Sequence, residues 1–213
     1  MDTVEKTIAK QLLGIKAVKL DVEHPFTWAS GWKSPIYCDN RKMLSYPAER
    51  KVVCEAFVKV IKENFKDVDV IAGVATGAIA YGMMVAEALD KPFIYVRPKP
   101  KDHGTKSQIE GEIAKNQRVV VVEDLISTGQ SSLSATTALH QAGAIVLGMV
   151  AIFSYNFDTA RRSFEYADVE LHTLCQYDSL LEEAVVEKYI KKSDLEVLKQ
   201  WRISPSTWGV QKQ

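Results

Sequence analysis

VVVVEDLISTGQSS, residues 119–132, sets four β-branched apolar residues directly before two adjacent acids, then a run of small and hydroxyl-bearing residues around one glycine. A short unbroken apolar run bounded in this way reads as a strand buried on both faces. The strand is expected over 118–122, with Ser127, Thr128 and Gly129 opening a helix that runs to Gln141. Whatever follows such a strand at its carboxyl end stands where open α/β sheets bind their ligands.

Working outward, strands and helices alternate. Residues 3–14 read as a short amphipathic helix with Thr3 as cap and Gly14 as stop. Residues 17–45, rich in aromatics, β-branched residues and turn formers, suggest short strands and exposed loops. From Pro47 the apolar positions Val52, Val53, Ala56, Phe57, Val60 and Ile61 recur at helical spacing. Strands are then expected at 69–74, 92–96 and 144–153, with a helix at 77–89. Residues 97–116 have no usable periodicity and read as a long mobile loop, with a poorly defined strand pair at 107–113, and the tail over 178–201 reads as two helices. The pattern predicts a parallel sheet covered by helices on both faces.

The bulk composition narrows the possibilities. At 213 residues, 46% hydrophobic and 25% charged, the chain can bury one good core and is most simply a single domain. Its 27 basic and 27 acidic residues cancel and form no long basic stripe, so nucleic acid is not expected as a partner. Cys38, Cys54 and Cys175 are odd in number, far apart and without CxxC or His-rich spacing, which argues against a disulfide framework or zinc site and for a reducing cytoplasm. The N-terminal MDTVEKTIAKQLLGIKAV mixes acids and lysines, unlike a signal peptide. The longest strongly apolar stretch, residues 146–153, falls far short of the roughly 20 residues a membrane span needs.

The opening stretch divides chemically in two. Around Ser127, Thr128 and Gly129, unpaired N–H groups, the helix dipole and the hydroxyls of Ser127, Thr128 and Ser131 favour a phosphate monoester, and Gly129 allows close backbone approach. Glu123 and Asp124 would repel that group; they suit neutral hydroxyls, a divalent cation, or both. A ribose 5-phosphate moiety carries hydroxyls at one end and phosphate at the other. The plain alternative is that Asp124, Ser127 and Thr128 merely cap a helix.

The string as a whole resembles the phosphoribosyl-pyrophosphate signature of type I phosphoribosyltransferases, departing from it where Gln130 follows Gly129 in place of a second glycine. The resemblance implies an α/β fold, a parallel sheet flanked by helices with a small N-terminal hood. Residues 1–45 would be the hood, 46–175 the core and 176–213 C-terminal helices. It also implies phosphoribosyl pyrophosphate binding by residues 123–131, Leu125, Ile126 and Gln130 included, and by Ala75 and Thr76 of GVATGAIA, which matches the family's diphosphate-binding turn.

VRPKPKDHGTKSQIEG carries Arg97, Lys99, Lys101, His103 and Lys106 on a proline- and glycine-punctuated loop, suited to closing over a diphosphate and excluding water. Its pattern is similar to the catalytic loop of orotate phosphoribosyltransferases. That likeness implies that Arg97, Lys101 and His103 contact the diphosphate, Lys101 and His103 in catalytic roles with Glu123 and Asp124, and that the loop reaches across a homodimer. FTWASGWKSPIYCDNR, residues 26–41, is by itself an irregular polar segment, but it looks like the hood of the same family. Tyr37, Cys38 and Ser127 then match positions that meet orotate, and Lys33 is the candidate partner of its carboxylate. Two departures stand out: Ala29 where many members have lysine, and FSYNFD, with no arginine, after the fifth strand.

The expected activity is transfer of ribose 5-phosphate from phosphoribosyl pyrophosphate to orotate, with Mg2+ held mainly through the substrate diphosphate and no firm protein ligand. The rivals are a phosphoribosyltransferase using a purine or uracil, and a nucleotide-binding regulator on the same fold.

Overall fold

The computed structural model describes residues 3–99 and 107–209. Helix α1 (Val4–Gly14) is capped by Thr3, whose side-chain oxygen accepts the Lys6 N–H, and it buries Ile8, Ala9, Leu12 and Leu13. Four short strands follow in two antiparallel pairs. They are β1 (Val18–Leu20) with β4 (Ile36–Cys38), and β2 (Phe26–Thr27) with β3 (Lys33–Ser34). The β2–β3 turn closes with Gly31 at φ +85°, a conformation open to glycine at little cost, and the Trp28 N–H donates to the Trp32 carbonyl. A 3-10 turn (Asn40–Ser45) leads into α2 (Pro47–Asn64), whose proline stands at the helix start, where its missing N–H costs nothing.

Beyond α2 come β5 (Val70–Val74), α3 (Ile79–Leu89), β6 (Phe93–Val96), β7 (Ile109–Glu110) and β8 (Arg118–Ile126). The chain continues through α4 (Gln130–Gln141), β9 (Ile145–Ser154), α5 (Asp158–Tyr166), β10 (Leu171–Gln176), α6 (Tyr177–Val186) and α7 (Asp194–Ile203). The main sheet runs β10-β9-β8-β5-β6-β7 and is parallel except for the last pair. The strand pair expected at 107–113 thus resolves into one strand, β7, lying antiparallel on β6. The α5–β10 unit is a further addition to the expected elements: α5 is only nine residues long, carries Asp158, Arg161, Arg162 and Glu165, and buries just Ala160 and Phe164.

Val119, Val120, Val121 and Val122 are all fully buried and alternate between two cores. One core lies under α1, α2, α3 and α6; the other lies under α4 and α5. Each valine taken from water contributes about 1.5–3 kcal/mol before the entropy cost of ordering the chain. At the base of the sheet, Arg118 grips the Asp69 carboxylate through Nε at 3.1 Å and Nη2 at 3.0 Å, joining the starts of β5 and β8. That contact holds the Asp69 carboxyl down at about 2. Successive strands are added on one side of β5 and then, from β8, on the other, so the crevice at the carboxyl ends of β5 and β8 is the topological switch point.

Candidate active site

β8 does not stop at Val122. It pairs with β9 as far as Ile126, opposite Ser154, and the acid pair is therefore part of a strand, not of the loop after it. The physical reason is that β9 is itself apolar to its end and offers partners for every residue up to Ser154. Successive side chains of a strand point to opposite faces. Glu123 turns under α4, 4% exposed, its Oε2 accepting the Ser132 hydroxyl at 2.8 Å and its Oε1 the Asp124 N–H at 2.9 Å. Asp124 turns to the other side, onto Gly77, where any Cβ would collide with its carboxylate. Burial, then the Asp124 charge, pushes the Glu123 carboxyl well above the usual carboxylate range. Asp124 is raised by burial too, an effect opposed by its bond to Glu123 and by Arg41.

The helix likewise opens later than the sequence suggests, at Gln130, because Gly129 at φ +80° forms the cap and leaves Ser127 and Thr128 in the connecting loop. Gly129 also packs against α5, where a Cβ would meet the Phe164 ring at 2.9 Å. The first N–H groups of α4 have no partner within the helix, as at any helix start.

These parts enclose a cavity of about 440 Å³. Its floor is the β5–α3 turn with Ala75, Thr76 and Gly77; its far side is Glu123, Asp124, Leu125, Ser127, Thr128, Gly129 and Ser131; and Cys38, Asp39, Asn40 and Arg41 close it from the hood. The Ala75–Thr76 peptide is cis. A second cavity of about 590 Å³ adjoins it, sharing Cys38, Leu125, Ser127 and Thr128, and is walled by Thr27, Trp28, Ala29, Ser30, Trp32, Tyr37 and Tyr155. One cavity is polar and hydroxyl-lined, the other aromatic and uncharged. Together they suit a ligand with a phosphosugar end and a planar end.

Among the residues singled out from sequence, Ala75, Thr76, Glu123, Asp124, Leu125, Ser127, Thr128, Gly129 and Ser131 meet in the first cavity, while Tyr37 and Cys38 line the second. Ile126 does not reach either: it is fully buried in the core beside α4. Gln130 faces a neighbouring cleft between α4, α5 and the chain after α7. Arg97 lies outside both cavities, its Nη1 3.7 Å from Glu110. Lys33 is not in the wall itself; its Nζ donates to Thr27 Oγ1 at 2.8 Å. Lys101, His103 and Lys106 lie outside the described residues.

Sequence reasoning missed the side chains that hold the hood to the sheet. Asn40, 1% exposed, donates through Nδ2 to the Asp124 carbonyl. It accepts the Cys38 thiol at 3.2 Å on Oδ1 and the Tyr81 hydroxyl at 2.8 Å on its carbonyl. Burial, reinforced by the Asp124 and Asp39 charges, pushes the Cys38 thiol up. Asp39, bonded to Arg41 Nε at 2.7 Å, is held below its ordinary range by that guanidinium. Asn40 bonds to a residue 84 positions away, a pairing with no local signal. The Trp28 indole, by contrast, stood inside a quoted motif, but its place in an aromatic group with Tyr155 and Trp201 follows only from folding.

Residues 39–192 match the family model of the phosphoribosyl transferase domain. An orotate phosphoribosyltransferase of Porphyromonas gingivalis is 54% identical over 210 residues, covering 99% of this chain and 100% of its own. One from Listeria innocua is 50% identical over 207 residues, covering 97% and 99%. The solved structure of orotate phosphoribosyltransferase from Aeropyrum pernix superposes with a TM-score of 0.74 at 31% identity, over 83% of this chain and 97% of that one. The acid pair at the switch point and this likeness along the whole chain agree, and the chain belongs to the phosphoribosyl transferase family, among its orotate phosphoribosyltransferases.

Proposed function

We propose that the protein transfers ribose 5-phosphate from phosphoribosyl pyrophosphate to orotate, forming orotidine 5′-monophosphate and pyrophosphate. The observation that carries this reading is the pair of joined cavities, one with two carboxylates and a hydroxyl-lined helix start, the other aromatic and neutral. Residues 1–213 act as a single phosphoribosyltransferase domain, with the hood over about 1–45, the core over about 46–175 and helices over about 176–213.

The 5-phosphate takes the loop and helix start from Ser127 to Ser131, where N–H and hydroxyl donors face the cavity. The ribose hydroxyls take Glu123 and Asp124, and the diphosphate lies by the Ala75–Thr76 turn. Cleavage of the bond between the anomeric carbon and diphosphate runs ahead of attack by the orotate ring nitrogen, and positive charge builds on the ribose. The negative charge of the acid pair, fixed beside the ribose, stabilises that charge without reorganising. Arg97, Lys101 and His103 are the candidate partners of the departing diphosphate, Lys101 or His103 donating a proton or only neutralising charge. Tyr37, Cys38 and Ser127 hold the base, and Lys33 supplies positive charge for its carboxylate.

The donor set fits a magnesium ion brought in on the diphosphate: the carboxylates of Asp124 and Asp39 line the cavity and offer it hard oxygen donors. Bound there, magnesium would offset the negative charge of the leaving diphosphate. The working form is a cytoplasmic homodimer whose basic loop reaches the neighbouring site.

The test is a magnesium-dependent assay of orotate loss with phosphoribosyl pyrophosphate, run beside uracil, hypoxanthine and adenine. Turnover of orotate alone supports the reading. Activity on a purine or on uracil instead would keep the phosphosugar site and discard the base assignment.

A further inference from the structure

The base cavity raises a problem of charge. Orotate is a planar anion, yet none of the described residues lining the cavity has a charged side chain. Arg41, the cation of the adjoining cavity, is engaged with Asp39 at 2.7 Å. Lys33 stands one residue behind the wall. It is the cross-strand partner of Thr27 in the β2–β3 pair, and its Nζ donates to Thr27 Oγ1 at 2.8 Å.

A threonine hydroxyl has one proton and two lone pairs. With a lone pair taken by the Lys33 ammonium, its proton is left for an acceptor, and a hydroxyl polarised by a cation is the stronger donor. Thr27 lines the cavity; Lys33 does not. Lys33 is also held from behind, its carbonyl accepting the indole N–H of the buried Trp201 at 3.1 Å.

Resting on the proposed use of orotate, we propose that Thr27 is the specificity-determining donor to the carboxylate of the base, and that Lys33 is a positioning residue that charges and orients the Thr27 hydroxyl. The charge of the carboxylate is then met by a relay of one cation through one hydroxyl. Carboxylate recognition then resides in the hairpin register that sets residue 27 opposite residue 33.

Steady-state kinetics of the full chain test this with Thr27→Val, Thr27→Ser, Lys33→Met and the double variant. Loss of a hydrogen bond to a charged group predicts a rise in KM for orotate of about tenfold or more in Thr27→Val, with KM for phosphoribosyl pyrophosphate within about twofold. Thr27→Ser restores the orotate KM, which a purely structural role for the threonine methyl would not allow. Because Lys33 acts through Thr27, the double variant is no worse than Thr27→Val alone.

An orotate KM raised by Lys33→Met but untouched by Thr27→Val would overturn the relay in favour of direct contact by lysine. No change in either would reduce the pair to a hairpin contact. The wild-type chain is the separate control: if it turns over uracil or a purine and not orotate, the activity assignment itself fails, and the relay with it.

Discussion

Glu123 and Asp124 are neighbours in the chain but turn to opposite sides of the sheet, Glu123 under α4 and Asp124 onto Gly77. Asp124 rests on Gly77 with no room for a Cβ. Gly77→Ala should therefore displace the carboxylate and lower kcat/KM for phosphoribosyl pyrophosphate by about 100-fold, a loss comparable to misplacing a reacting group by an ångström; steady-state rates check it. Glu123, raised by burial, retains in the folded state a proton that the unfolded chain gives up at the ordinary glutamate value. The folded state then binds more protons, so this group's contribution to stability declines as pH rises from the ordinary carboxylate range toward neutrality and above. Asp124, also raised, acts in the same direction. Urea unfolding between about pH 5 and 8 should show this decline, and Glu123→Gln should flatten it.

At the scale of elements, β9 decides how far β8 extends and so where the acids stand. Val119 lies opposite Val146 and Val120 opposite Gly148, so a bulge at Leu147 shifts the register once along the pair. Gly148 lies under α2, where a Cβ would meet the Phe65 ring at 2.5 Å and the Glu170 carbonyl at 2.8 Å. Gly148→Ala should cost about 1–3 kcal/mol from overpacking, read as a lower urea midpoint with unchanged slope. The helices and strands themselves were readable: α1 starts after its Thr3 cap, and α2 follows the apolar spacing from Val52 to Ile61. The exact end of β8 was not readable, because a strand continues as long as a neighbour offers hydrogen bonds, whatever its own polarity.

On the scale of the whole molecule, the last helix holds the first part of the chain. Trp201 packs against Trp28, Tyr155, Phe157 and Tyr177 and donates to the Lys33 carbonyl, so α7 secures the hairpin that walls the base cavity. Trp201→Phe keeps most of the ring volume and leaves that carbonyl unpaired. It should destabilise the fold by about 1–3 kcal/mol and raise KM for the base several-fold while sparing that for phosphoribosyl pyrophosphate. Thermal melts and kinetics read the two effects. By itself the sequence determined the order of strands and helices, the valine strand, the hydroxyl-rich helix start and the acid pair, because apolar periodicity, turn residues and side-chain chemistry are all local properties. Only the tertiary structure decided that Glu123 is buried under α4 while Asp124 rests on Gly77, that Asn40 ties the hood to β8, and that Lys33 bonds Thr27 at the cavity wall. Those outcomes depend on strand pairing and on contacts between residues as far apart as 168 positions, which no local pattern encodes.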